Sequence, residues 1–217
     1  MVCLENTHNV CGGTVLTPEY TEQAAEIAHR HGADLFVDGA RVVNAAVAQD
    51  VPIRALTEPA DHVVISLNKG LGAPLGALLC TNAEFMVGVK LLAKRMGMIA
   101  MHKMGIFAAA GNIALTKMYE GLIDDHARAH RLASALSGMD GLYVDMETIQ
   151  TNLFRVSTEP LGMRAVELGE RLAVHGLGIH VLEPYAFKIS ICYAIDDVMV
   201  DEAISIFQKV LGEINGG

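Results

Sequence analysis

Two short apolar runs, "LFVD" ending at Asp38 and "HVVISL" ending at Leu67, are separated by "RVVNAAVAQ", whose spacing is helical rather than alternating. Strand, helix, strand in that order implies parallel pairing, because parallel neighbours need a crossover and the crossover is right-handed. The pattern extends to both sides. "VCLENT" reads as an earlier strand running into a polar loop, "THNVCGG". "TPEYTEQAAEIAHRHG" carries the signals of a helix, with Thr17 as N-cap, Pro18 in the first turn and Gly32 as the stop. "LGALLCT" adds a further strand, so the first half is expected to be α/β with a mostly parallel sheet.

From Asn82 to about Leu136 the spacing turns helical, in "NAEFMVGVKLLAKRMG", "MGIFAAAGNIALTKMYEGL" and "DDHARAHRLASAL". The small residues Ala108, Ala109, Ala110 and Gly111 point to a closely packed helix. "SGMDGLYV" then marks a boundary, giving domains over 1–137 and 138–217. In the second, "TNLFRVS", "LGIHVLE" and "FKISICY" read as antiparallel strands between the helices "MRAVELGERLAVHG" and "VDEAISIFQKVL", an α+β unit.

Composition excludes several classes. Of 217 residues, 52% are hydrophobic, yet the apolar stretches are interrupted well short of the roughly 18 to 20 residues of a bilayer span, so no membrane insertion is expected. A net charge of -9 argues against nucleic acid, whose binding relies on clustered Lys and Arg, although "KLLAKR" is locally basic. The opening "MVCLENTHNV" has no basic segment followed by an apolar core, and Cys3, Cys11, Cys80 and Cys192 are scattered without metal-site spacing. A reducing cytoplasm and no bound metal are the expectation. Cys80 and Cys192 lie in apolar runs where inert burial is expected.

The chemistry concentrates at two strand ends. In a parallel sheet Asp38 and Lys69 emerge on the same edge, where open α/β sheets bind ligands. A lysine leaving so apolar a strand is disfavoured as the ammonium, and a neutral lysine is a nucleophile. A carboxylate beside such an amine suits a cofactor with a basic ring nitrogen and an aldehyde: pyridoxal 5'-phosphate, with the amine linked to the aldehyde and Asp38 keeping the ring nitrogen protonated.

The segments "LENTHN", "HRHGADLFVDGARVVNAAVA", "VPIRAL", "SLNKGLGAPLGALL", "GIFAAAGNIAL", "DDHARAHRLA" and "IQTNLF" resemble the low-specificity L-threonine aldolases of the β-eliminating lyase group. The resemblance implies a pyridoxal-phosphate-dependent transferase-like fold of type I, here a partial large domain plus a small C-terminal one. It implies that Lys69 is the cofactor lysine, Asp38 the partner of the ring nitrogen, Ala40 the small residue beneath the ring and Arg41 the guanidinium for the substrate carboxylate. His8 and Asn9, in the loop after the first strand, are implied near the cofactor. The implied activity is cleavage of a β-hydroxy-α-amino acid to glycine and an aldehyde, by an oligomer.

The chain departs from the family at several places. Asn68 stands where a serine precedes the lysine, and "MIAMHK", with His102, stands where the family has an arginine for the cofactor phosphate. Lys188 occupies the place of a second carboxylate-binding arginine, a point charge instead of a planar fork. The family's sequences also begin well before the matching region, with a phosphate-binding loop and a ring-stacking histidine. These departures keep open a hetero-oligomer in which a second chain supplies that segment, and a noncatalytic, half-site homologue.

Overall fold

The computed structural model describes residues 1–98 and 103–216. By compactness the chain divides into two units, Met1–Thr7 with Val15–Leu122, and His8–Thr14 with Ile123–Gly217.

The first unit holds strands β1 (Val2–Glu5), β2 (Leu35–Asp38), β3 (His62–Ser66) and β4 (Ala77–Thr81), side by side in that order. β1, β2 and β3 are parallel, with Glu5 opposite Asp38 and Asp38 opposite Val64. Helix α1 (Pro18–Arg30) crosses from β1 to β2, capped by Thr17 Oγ1, which accepts from Tyr20 N at 3.2 Å. Helices α2 (Val42–Gln49) and α3 (Ile53–Thr57) cross from β2 to β3. Val42, Val43, Ala45 and Ala46 of α2 are buried with Leu56, Leu67 and Leu71, which clamps the crossover onto the turn after β3.

β4 runs antiparallel to β3, from Ser66 opposite Ala77 to His62 opposite Thr81, so the sheet is mostly parallel, as expected, with one reversed edge strand. The ten residues between them form a turn with no helix, and a connection that short can only reverse the chain. β4 is also the sheet's last strand, and Cys80 on it is exposed, not buried as its apolar run implied. Helices α4 (Ala83–Arg95) and α5 (Met104–Ile113) follow. α4 buries no residue and α5 only Gly111, so the small-residue run does not form a closely packed helix within this unit.

The second unit contains α6 (Leu122–Ser137, from Ile123 on), α7 (Ala165–Val174), α8 (Asp197–Asn215) and an antiparallel sheet in the order β5 (Leu153–Ser157), β7 (Ala186–Ser190), β6 (His180–Glu183). Its core joins Leu132 and Leu136 of α6 to Phe154, Leu168, Phe187 and Phe207. That packing assigns α6 to this unit, so the division falls after Leu122, earlier than the expected 137/138. Cys192 lies just past β7 and is partly exposed. Among the described residues no helix is long and apolar enough to cross a membrane, and no group of three or more His, Cys, Asp or Glu could hold a metal ion.

Candidate active site

Asp38 ends β2, and its Oδ1 accepts from the backbone N of Ala40 at 3.0 Å, fixing the carboxylate over the turn that follows. Gly39 makes that turn possible. A Cβ at Gly39 would stand 2.8 Å from the carbonyl oxygen of Val64 and 3.1 Å from Val42 Cβ, so any larger residue would push β2 and β3 apart. Arg41 stands at the N-terminus of α2, half-buried. Burial pushes its pKa below the usual arginine value, and the charges of Glu5 and Asp38 push it back up.

Lys69 sits in the turn after β3. The turn is pinned at three points: Leu67 N donates to Gly76 O at 3.0 Å, Ala73 N to Leu67 O at 2.8 Å and Gly72 N to Lys69 O at 2.9 Å. Leu67, Leu71 and Ala73 are buried, which holds the turn against α2. Lys69 itself is exposed, so a deeply buried amine is not what this unit forms. Its pKa is nevertheless lowered, first by the desolvation it does experience and then by Arg41, against Asp38 and Glu5, which raise it. Ser66 Oγ donates to Asn68 Oδ1 at 2.7 Å, so the asparagine before the lysine is tied to the end of β3.

Sequence reasoning missed Glu5. It ends β1 directly opposite Asp38, and its charge acts on both Arg41 and Lys69. The signal was available: "VCLE" ends in an acid as "LFVD" does, and parallel neighbours deliver their last residues to one edge. The first unit thus gathers Asp38, Ala40, Arg41, Lys69 and Glu5 at the C-terminal ends of three parallel strands. An amine with a lowered pKa and a carboxylate there match a heterocycle bearing an aldehyde and a basic ring nitrogen, which this donor set fits.

The remaining candidates fall in the second unit. His8 and Asn9 belong to the segment His8–Thr14 of that unit. His8 Nδ1 accepts from the backbone N of Cys11 at 3.2 Å, while Asn9 Oδ1 accepts from Lys188 Nζ at 2.8 Å. Thr151 Oγ1 donates to Gly13 O at 2.8 Å, and Gly13 lies at φ 78 where a Cβ would meet Thr151 Oγ1 at 2.6 Å. His102 lies outside the described residues.

The family model of the beta-eliminating lyases matches residues 1–159. Low-specificity L-threonine aldolase 1 of Arabidopsis thaliana is 36% identical over 213 residues, 97% of this chain and 59% of the plant protein. The chain therefore spans about three fifths of the length of that relative. Among solved structures, a Listeria monocytogenes protein provisionally named an L-allo-threonine aldolase superposes with a TM-score of 0.81 at 21% identity, over 96% of this chain and 61% of that one. A PLP-dependent aminotransferase of Streptococcus suis gives 0.72 at 16% identity, over 99% and 57%. At those identities the two structures establish the fold, that of the type I pyridoxal phosphate enzymes.

Proposed function

The chain belongs to the beta-eliminating lyase family, and from that premise we propose that it serves as a pyridoxal-phosphate-dependent carbon–carbon lyase of the threonine aldolase kind. The observation that carries the reading is the pairing of β2 and β3, which sets Asp38 and the Lys69 turn at neighbouring parallel strand ends. Pyridoxal phosphate, when bound, supplies an electron-withdrawing ring that takes up the electron pair of the bond broken at the substrate Cα. Lys69 provides the amine for its aldehyde, an amine made more available by the lowered pKa. Asp38, fixed by Ala40 N, holds the proton on the ring nitrogen, and Ala40 leaves room beside the ring. Arg41 offers a guanidinium fork to a substrate carboxylate.

The substrate class is β-hydroxy-α-amino acids, with glycine and an aldehyde as products, in the cytoplasm. Glycine release from L-threonine and L-allo-threonine, measured with the wild type and Lys69→Ala, tests it. Release that Lys69→Ala abolishes supports the reading, and glycine released equally by the variant refutes it.

The active form is an oligomer. The observation favouring it is that Phe85, Val87, Leu91 and Leu92 of α4 and Ile106 and Ile113 of α5 are all exposed. Large apolar side chains exposed on two successive helices are what an interface would bury.

A further inference from the structure

Two arginines of α6 hold the start of α8. Arg131 Nη1 donates to Asp201 Oδ1 at 2.7 Å, and its Nη2 donates to the Asp197 carbonyl oxygen at 2.8 Å and to Asp197 Oδ1 at 3.3 Å. Arg128 Nη2 donates to Asp197 Oδ2 at 3.2 Å. The other terminal nitrogen of Arg128, Nη1, stands 3.9 Å from Asp125 Oδ1, one turn back on α6 and beyond hydrogen-bonding distance. One guanidinium therefore lies between two carboxylates in opposite surroundings. The Asp197 side chain is 66% exposed, whereas Asp125 is 1% exposed and has neither oxygen hydrogen-bonded.

That difference sets up a competition. Asp197 loses little if Arg128 leaves, because water and Arg131 remain to it, and exposed ion pairs are weak. Asp125 has no such alternative, and an ionised carboxylate buried without a hydrogen bond is strongly disfavoured. The charges acting on it are Arg128, which favours the carboxylate, and Asp124, which opposes it. His126, next along the helix, is kept neutral by burial, its pKa lowered to about 4, so it supplies no second cation above that pH.

We propose that Arg128 is the moving part of a pH-sensitive clasp: while Asp125 is protonated it ties α6 to Asp197 of α8, and when Asp125 ionises it transfers to Asp125 and releases Asp197. The distances above are those of the closed state. Transfer needs Nη1 to advance by about 1 Å into a charge-assisted hydrogen bond. Burial raises the pKa of Asp125 to about 6, so the clasp is closed below that pH and opens as pH rises through it. Arg131 keeps Asp197 and Asp201 in both states, so α8 stays on α6 and only its first turn loosens. The device is independent of the lyase reading.

The test uses the Nε–H groups of Arg128 and Arg131, both buried and without a hydrogen-bond partner. Burial slows their exchange with solvent, so NMR of the full chain can follow them from about pH 5 to 8. The Arg128 Nε–H resonance should shift with an inflection near pH 6 while that of Arg131 stays flat, and Asp125→Asn should abolish the inflection. No inflection in wild type, or one retained in Asp125→Asn, overturns the proposal. Urea unfolding of Arg128→Met, Asp197→Asn and the double variant gives a second readout, the coupling between the two residues. Asp197 stays ionised throughout, since the bond from Arg128 holds its carboxyl below the usual value. The coupling should be about two- to fivefold in the unfolding equilibrium at pH 5 and absent at pH 8. In an Asp125→Asn background it should persist at both. A static ion pair gives equal coupling at the two pH values in wild type, and that result overturns the clasp.

Discussion

Lys188 and Asn9, 179 positions apart in the chain, meet in a hydrogen bond of 2.8 Å between the ammonium and the side-chain amide oxygen. An early loop residue thereby becomes part of the C-terminal unit. A hydrogen bond to a charged group contributes roughly 1.5 to 3 kcal/mol when made and partly buried. Asn9→Ala and Lys188→Met should each destabilise the second unit by about 1 to 2 kcal/mol in urea melts. The double variant should fall short of the sum by at least about 0.5 kcal/mol, the mark of direct coupling.

Lys69 should titrate below an ordinary lysine, and its neighbours set the direction. Arg41 lowers its pKa, so Arg41→Met should raise it; Asp38 and Glu5 raise it, so Asp38→Asn should lower it further. Competitive acetylation across pH 7 to 11, read by mass spectrometry of the Lys69 peptide, separates these outcomes. Equal shifts in the same direction from both variants would contradict the electrostatic account.

The strand–helix–strand skeleton was readable because β2, α2 and β3 each carry a clear apolar period and β2 and β3 have ends that punctuate them. Asp38 and Lys69 followed from that skeleton, since parallel strands deliver their C-termini to one edge. The reversal into β4 was not readable: "LGALLCT" has the same apolar content in either direction, and only the missing crossover distinguishes them. Nor was the placement of His8 and Asn9, because a loop's docking depends on long-range contacts such as Thr151 to Gly13, which leave no local pattern.

Gly39→Ala should cost stability and disturb the strand ends together. The added Cβ would lie 2.8 Å from the Val64 carbonyl oxygen, a backbone atom that cannot rotate away. Overpacking of this kind costs about 1 to 3 kcal/mol. Thermal melts should show the loss, and the Lys69 acetylation profile should change with it; an unchanged profile would mean that Gly39 does not position the cluster.

Asp125, 1% exposed in α6, has neither carboxylate oxygen hydrogen-bonded, and burial raises its pKa to about 6 despite the opposing charge of Arg128. A raised carboxylate pKa means that its protonated form stabilises the fold below about pH 3.8, and that this stabilisation is lost as pH rises through about 6. Asp125→Asn should therefore be more stable than wild type at pH 8 by up to about 3 kcal/mol. The gap should close toward pH 4. A gap independent of pH would contradict an ionised carboxylate buried without a hydrogen bond.

The exposed apolar side chains of α4 and α5 predict association. Light scattering at micromolar concentration should give a mass above the 23.2 kDa of one chain, and Leu91→Glu with Ile106→Glu should reduce it. A monodisperse monomer before mutation would remove the interface from the account.

The central claim is that Lys69 is the cofactor lysine, and one measurement addresses it directly. The full chain is incubated with pyridoxal phosphate, reduced with borohydride, digested and mapped by mass spectrometry, alongside Lys69→Ala. The account predicts a stable pyridoxyl mass on the Lys69 peptide and on no other, absent from the variant. Reduction products on Lys188 or on the α4 lysines, with Lys69 unmodified, would contradict it.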